Sequence, residues 1–239
     1  MTSPAGDGLG PTTAEALVFV ADLDRPELSA PDAHHLRRVL RLRRGAPIAV
    51  GDGSGRWRVC SFGDRLVEAT EIVHEPEPTP VMTVAFSIPK AEKPELVVQK
   101  LTELGTDRIV LLQADRTVVR WEGDKVHRHM ERLHRVAREA AMQARRPRLP
   151  EVLGPLPFGV AATWPGATRC DQGGGPVPTG QPTMLVGPEG GWTERERAQV
   201  QHVVGLAPYV LRVETAAIAA GALLAAFGHN AWLADREWR

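Results

Sequence analysis

The chain has 239 residues, 43% hydrophobic and 24% charged, with 29 basic and 29 acidic side chains. That length holds one large domain or two unequal ones around a sizeable core, and no apolar run approaches the ~20 residues of a membrane span. The opening MTSPAGDGLGPTT lacks a basic start and an apolar stretch, so it is not a signal peptide and reads as a disordered arm over residues 1–15.

ALVFV (16–20) predicts a short strand, and PDAHHLRRVLR (31–41) a short helix with Leu36, Val39 and Leu40 on its apolar side. APIAV (46–50), GDGSG (51–55) and RWRVCSF (56–62) predict strand, turn and strand, a hairpin. LVEATEIV (66–73) continues this β-rich unit, and the extended, acidic EPEPTP (75–80) marks the best domain boundary. VMTVAFSI (81–88) has the look of a buried strand, and residues 93–105 of a helix that turns Leu96, Val97, Leu101 and Leu104 inward and stops at Gly105. RIVLLQ (108–113) predicts a strand. Residues 126–145 predict a long helix with Met130, Leu133, Val136, Ala137, Ala140, Ala141 and Ala144 facing inward. LPEVLGPLP is irregular or a brief strand, GVAATW (159–164) a small helix, and ATRCDQGGGPVPTGQP a loop with room for a short strand. TMLVG (183–187) predicts a strand, 192–204 a helix, YVLRV (209–213) a strand and 215–233 a final helix. Alternating strands and helices indicate an α/β domain, its parallel sheet covered on both faces.

Charge is unevenly placed. From His34 to Arg65 there are eight arginines against two acids, and from Arg120 to Arg148 nine Lys or Arg against four. Such segments are either basic faces for a polyanion or ordinary solvated surface. The two cysteines, Cys60 and Cys170, show no pairing or metal spacing, and neither do the histidines. A reduced, cytoplasmic setting without a metal is expected.

The stretch MLVGPEGGWTERE (184–196) puts a glycine loop between a strand and a helix. It lacks the lysine of a P-loop and the spacing of a dinucleotide fingerprint, and Glu189 would repel a phosphate. A cationic ligand fits better. S-adenosylmethionine (SAM) carries a sulfonium, and glycines let backbone approach its adenosine closely. Thr193 and Glu196 form a capping-box pattern that fixes the helix start. Farther on, LAPYVLRVETAAIAAG (206–221) again reads strand, sharp turn, helix, and the helix is apolar on nearly all sides.

GPEGG followed by LR-x-ETA resembles the SPOUT class of methyltransferases, and within it the RsmE family, which methylates N3 of a uridine in small-subunit (16S) ribosomal RNA. HHLRRVLRLRRG, QKLTELG, DRTVVRW and REAAMQARRPRLP agree with it. The resemblance implies a PUA-like RNA-binding barrel over 16–76 and a SPOUT domain with a deep trefoil knot over 77–239. It implies a homodimer with SAM held in the knot near the partner chain. Leu185, Gly187, Glu189 and Gly190 would line the cofactor from one loop, Leu206, Val210, Leu211 and Arg212 from the next, with Thr215 and Ala216 at the helix start.

Loss of the uracil N3 proton calls for a base, or for donors that stabilise negative charge on O2 and O4, and arginines suit the second role. Arg116 and Arg212 are the candidate catalytic residues. His35, Arg37, Arg38, Arg41 and Arg43 are candidate RNA contacts, and Arg145 and Arg146 candidate phosphate holders. The chain departs from the family pattern at Tyr209, where many relatives have Arg, and at Val213, where they have Thr. A sister enzyme methylating a ribose 2′-oxygen, and a non-catalytic SAM-binding assembly factor, stay open.

Overall fold

The computed structural model describes residues 10–89, 93–176 and 180–234, with side chains of the final helix as far as Phe227. The expected arm at 1–9 lies outside the described residues, as do 177–179 of the glycine-rich segment. Residues 10–15 are part of the fold and not of an arm: Ala14 is buried, and the Glu15 N–H donates to Pro47 O at 2.8 Å. The chain divides into two compact units, one running to Glu77 and taking back Arg138–Leu149, the other made of Pro78–Ala137 and the chain from Pro150 onward.

In the first unit β1 (Ala16–Phe19) lies parallel to β2 (Pro47–Gly51). β2 is antiparallel to β3 (Arg56–Ser61), which also carries the short β4 (Val67–Glu68) and β5 (Val73–His74). The expected hairpin turn forms because Asp52 Oδ1 accepts the N–H groups of Ser54 at 2.8 Å and Arg56 at 3.2 Å. Side chains alternate: Val18, Ile48, Val50 and Cys60 join one core with Leu36, and Leu17, Phe19 and Ala49 join another with Ala141. Ala141 belongs to the returning segment, which is tied in by Arg138 Nη2 on the buried Asp32 Oδ2 at 2.8 Å. Linear composition does not reveal this return.

The helix expected at 31–41 is α1 (Ala30–His34), capped by Ser29, followed by a π-helical turn over His35–Val39. The wider turn swings Val39 and Leu40 out of the core, to 61% and 43% exposure, and only Leu36 stays buried as expected.

The second unit is built on six parallel strands in the order β11-β9-β10-β6-β7-β8. They are β6 (Thr83–Ser87), β7 (Arg108–Gln113), β8 (Glu151–Pro157), β9 (Ala167–Gly175), β10 (Thr183–Val186) and β11 (Val203–Val204). Both faces are buried. Val84, Phe86, Ile109, Leu111, Met184 and Val186 pack beneath α2 (Lys93–Glu103), α3 (Asp124–Gln143) and α6 (Val213–Ala234). Ala85, Val110, Leu112 and Leu185 face the short α4 (Phe158–Ala161) and Trp192.

α2 and α3 end in the same way. Past α2, Gly105 (φ +84°) and Thr106 bond back to Thr102 O and Leu101 O; past α3, Arg145 (φ +58°) and Arg146 bond back to Met142 O and Ala141 O. Glycine adopts this left-handed position freely, while arginine does so at a steric cost.

Several expectations are corrected. Leu96 is 43% exposed, and Val98 takes the inward position on α2. The segment read mainly as a loop is β9, nine residues between β10 and β11. Its buried Arg169 is satisfied there by Val200 O and Asp171. The helix expected over 192–204 is only α5 (Glu194–Gln199), because Val200 turns extended and Val203 pairs with Arg169 of β9. YVLRV is not a strand: among the described residues it finds no pairing partner, and Tyr209 and Val210 stand out at 80% and 78% exposure.

Candidate functional site

Two loops at the carboxyl ends of the parallel strands shape the site, where open α/β sheets place their ligands. The first follows β10. At Gly187 the backbone passes against Trp192, and a Cβ there would lie 2.8 Å from the indole. Trp192 is buried, donates through Nε1 to Cys170 O at 3.1 Å, and tilts against Phe158. Packing, with one polar tie, fixes this ring.

The expected capping box is present. The Thr193 hydroxyl accepts from Glu196 N, and Glu196 Oε2 accepts from Thr193 N at 2.8 Å. Glu196 is 1% exposed, and its Oε1 accepts the Asp115 N–H at 2.9 Å. Asp115 in turn binds Arg195 at 2.8 Å and accepts from the Thr193 hydroxyl at 3.0 Å. Arg116 Nη1 donates to Gly190 O at 2.9 Å and reaches Trp192 O at 3.5 Å. The segment after β7 therefore holds the glycine loop from outside by five residues' worth of polar contacts: Asp115, Arg116, Thr193, Arg195 and Glu196.

The loops enclose a cavity of about 360 Å³, within the ~300–1,000 Å³ of small-molecule sites. Gly187, Pro188, Glu189, Gly191 and Trp192 form one wall; Leu206, Ala207 and Tyr209–Val213 form another, closed by Ala216. Cys170, Asp171 and Gln172, in the middle of β9, form a third that sequence reasoning missed because β9 read as a loop. The Pro165–Gly166 turn ahead of ATRC was the available signal for a strand there. Asp171 Oδ2 is shared by Arg169 at 2.7 Å and Arg197 at 2.8 Å. Among the described residues no ion pair forms at Glu189, so its charge stands open beside the cavity.

Of the expected cofactor residues, Gly187, Glu189, Leu206, Val210, Leu211, Arg212 and Ala216 line this cavity. Three stand outside it. Leu185 is fully buried in the sheet, Thr215 is exposed on α6, and a Cβ on Gly190 would meet the Arg116 side chain at 3.3 Å. Arg212 lines the cavity, whereas the Arg116 guanidinium is engaged by loop carbonyls.

His35, Arg37, Arg38, Arg41 and Arg43 lie exposed in the first unit. Arg37 reaches Gly63 O, and the neighbouring Arg44 pairs with Asp64. Arg145 does not present a free guanidinium: it donates to Glu15 O and to Met142 O, and burial lowers its pKa. Arg146 is half-buried. Among the described residues no group of three His, Cys, Asp or Glu is arranged to hold a metal ion, and no helix is long and apolar enough to cross a membrane.

A profile described as an RNA methyltransferase domain matches residues 75–225, and one described as an RNA methyltransferase PUA domain matches residues 28–70. The chain is 32% identical over 217 residues to ribosomal RNA small subunit methyltransferase E of Mycobacterium bovis, spanning 80% of this chain and 83% of that protein. It is 28% identical to the Bacillus subtilis protein of that name, over 79% of this chain and 85% of the relative. A crystal structure of ribosomal RNA small subunit methyltransferase E from Neisseria gonorrhoeae, bound to S-adenosyl methionine, matches with a TM-score of 0.69 at 28% identity, over 91% of this chain and 98% of that one. The fold is that of an α/β methyltransferase domain behind a PUA-like unit. The chain belongs to the RNA methyltransferase family, as the GPEGG and LRVETA motifs led us to expect.

Proposed function

We propose that the protein transfers a methyl group from SAM to N3 of a uridine in small-subunit ribosomal RNA. The observation that carries this reading is the cavity at the strand ends, walled by a fixed glycine loop with an open carboxylate. The fit is chemical. Val186, Leu206, Trp192 and Ala216 offer apolar walls to a heterocycle, and Glu189 offers negative charge to a sulfonium. SAM bound there supplies an electrophilic methyl group, and in-line displacement then needs alignment more than covalent help.

The residues of this chain divide the remaining work. Arg116 holds the glycine loop in shape through Gly190 O. Arg212, on the cavity wall, stabilises the negative charge that develops on the uracil oxygens as the N3 proton leaves. Arg38, Arg41 and Arg43 meet RNA phosphates in the PUA-like unit. Ala222, Ala226 and Phe227 leave an exposed apolar side on α6, where a second copy of the chain would pack in a two-fold dimer. The trefoil knot and a cytoplasmic setting belong to the same reading.

Purified protein incubated with SAM and small-subunit ribosomal RNA tests the proposal by mass mapping. One methyl group on a uracil ring is expected. A methyl group on a ribose would move the reading to the 2′-oxygen, and SAM binding without any transfer would make the protein a non-catalytic factor.

A further inference from the structure

We infer that Tyr209 is the stacking platform for the target nucleobase, an inference that rests on the reaction proposed above. Tyr209 lines the cavity yet is 80% exposed, and its neighbour Val210 is 78% exposed. The other aromatic ring of the cavity, Trp192, is 2% exposed and is packed against Gly187 and Phe158. A small molecule seated in the cavity rests on the buried walls. A ring held outward at the rim serves a ligand that arrives from the open side.

Chemistry on a base requires that base to leave its stack, and a replacement stacking surface offsets the cost. Single-stranded bases use aromatic side chains for this purpose, because each has a π-face whatever its sequence. Among the described residues the Tyr209 hydroxyl makes no hydrogen bond, so none of them ties the ring down. Arg212, three positions on, is exposed on the same wall and supplies a positive charge on the side from which RNA would arrive. Tyr209 is the chain's only tyrosine, so one substitution removes the phenol ring entirely.

The test compares Tyr209→Ala and Tyr209→Phe with the parent protein. Calorimetry measures SAM affinity, filter retention measures binding of small-subunit ribosomal RNA, and methyl transfer gives kcat and KM. Tyr209→Ala should raise the RNA KM and weaken RNA retention roughly tenfold while SAM affinity stays constant. Tyr209→Phe keeps both ring faces and should match the parent. An equal loss of SAM affinity would assign the ring to the cofactor. Dissociation of a dimer in sedimentation would assign it to the partner subunit, and unchanged RNA binding would end the proposal outright. A parent protein that retains RNA through Tyr209 yet transfers no methyl group would overturn the proposed reaction and leave the stacking role standing.

Discussion

The two loops around the cavity are built on opposite plans. The loop after β10 is held by Trp192 Nε1, by Arg116, and by a buried glutamate shared with the segment after β7. The loop before α6 holds Tyr209 and Val210 out in solvent and is pinned near its exit, where Lys93 Nζ meets Glu214 Oε1 at 2.7 Å. One wall is pre-shaped, as a small cofactor rewards, since fixed donors and walls need no ordering on binding. The other wall is free to adapt to a larger substrate.

Breaking the fixed wall should have the largest effect. Glu196→Ala leaves the Asp115 and Thr193 N–H groups without their acceptor, at a cost of roughly 3 kcal/mol. A clear fall in Tm and weaker SAM binding are expected together, and Glu196→Gln should recover part of both. An unchanged melting curve would show that Glu196 does not brace the glycine loop against the segment after β7.

Arg116→Ala removes the clamp on Gly190 O and Trp192 O from an exposed position. Stability should fall by only about 1 kcal/mol, while SAM affinity drops severalfold. If kcat alone falls and SAM affinity holds, Arg116 acts on the substrate and the comparison needs redrawing.

The pin at the open loop's exit gives a smaller, pH-dependent effect. Burial pushes the Glu214 carboxyl up, but the Lys93 hydrogen bond and the Lys93 and Arg212 charges outweigh it, leaving the pKa below its usual 4.5. A depressed carboxyl contributes stability above 4.5 that is lost as pH falls through the lower folded value. Lys93→Met should therefore lower stability slightly at neutral pH, by less than about 1 kcal/mol for this partly exposed lysine. The difference from the parent should shrink as the solution is acidified below 4.5. Val210→Ala, in the open loop itself, should change stability by less than about 0.5 kcal/mol. Melting curves across pH check both.

The fixed wall was legible because its chemistry is local. GPEGG, Thr193 and Glu196 lie within ten residues of one another, and turn and cap rules act at that range. The buried strands were legible because apolar runs such as RIVLLQ have few other uses. The open wall misled for the same reason: YVLRV has the composition of a buried strand, and only the missing pairing partner shows otherwise. β9 was hidden by its own Arg169 and glycines, since no local rule announces that Val200 O and Asp171 will satisfy a buried guanidinium. Arg145 read as a phosphate holder, but it follows α3 and binds two backbone carbonyls, Met142 O close by and Glu15 O far away in sequence.

The buried cysteines carry one more consequence. Burial raises the Cys60 thiol to about 11, and burial with the nearby Asp171 charge raises Cys170 to about 12. Thiolate is the reactive form, so at neutral pH both sulfurs resist alkylating reagents while they stay enclosed. Cys60 sits in the PUA-like unit and Cys170 in the methyltransferase unit. Each unit thus holds a built-in clock. The rate at which a thiol reagent labels either sulfur reports how often that unit opens, and slower labelling of Cys170 in saturating SAM would measure how far an occupied cavity holds its own walls shut.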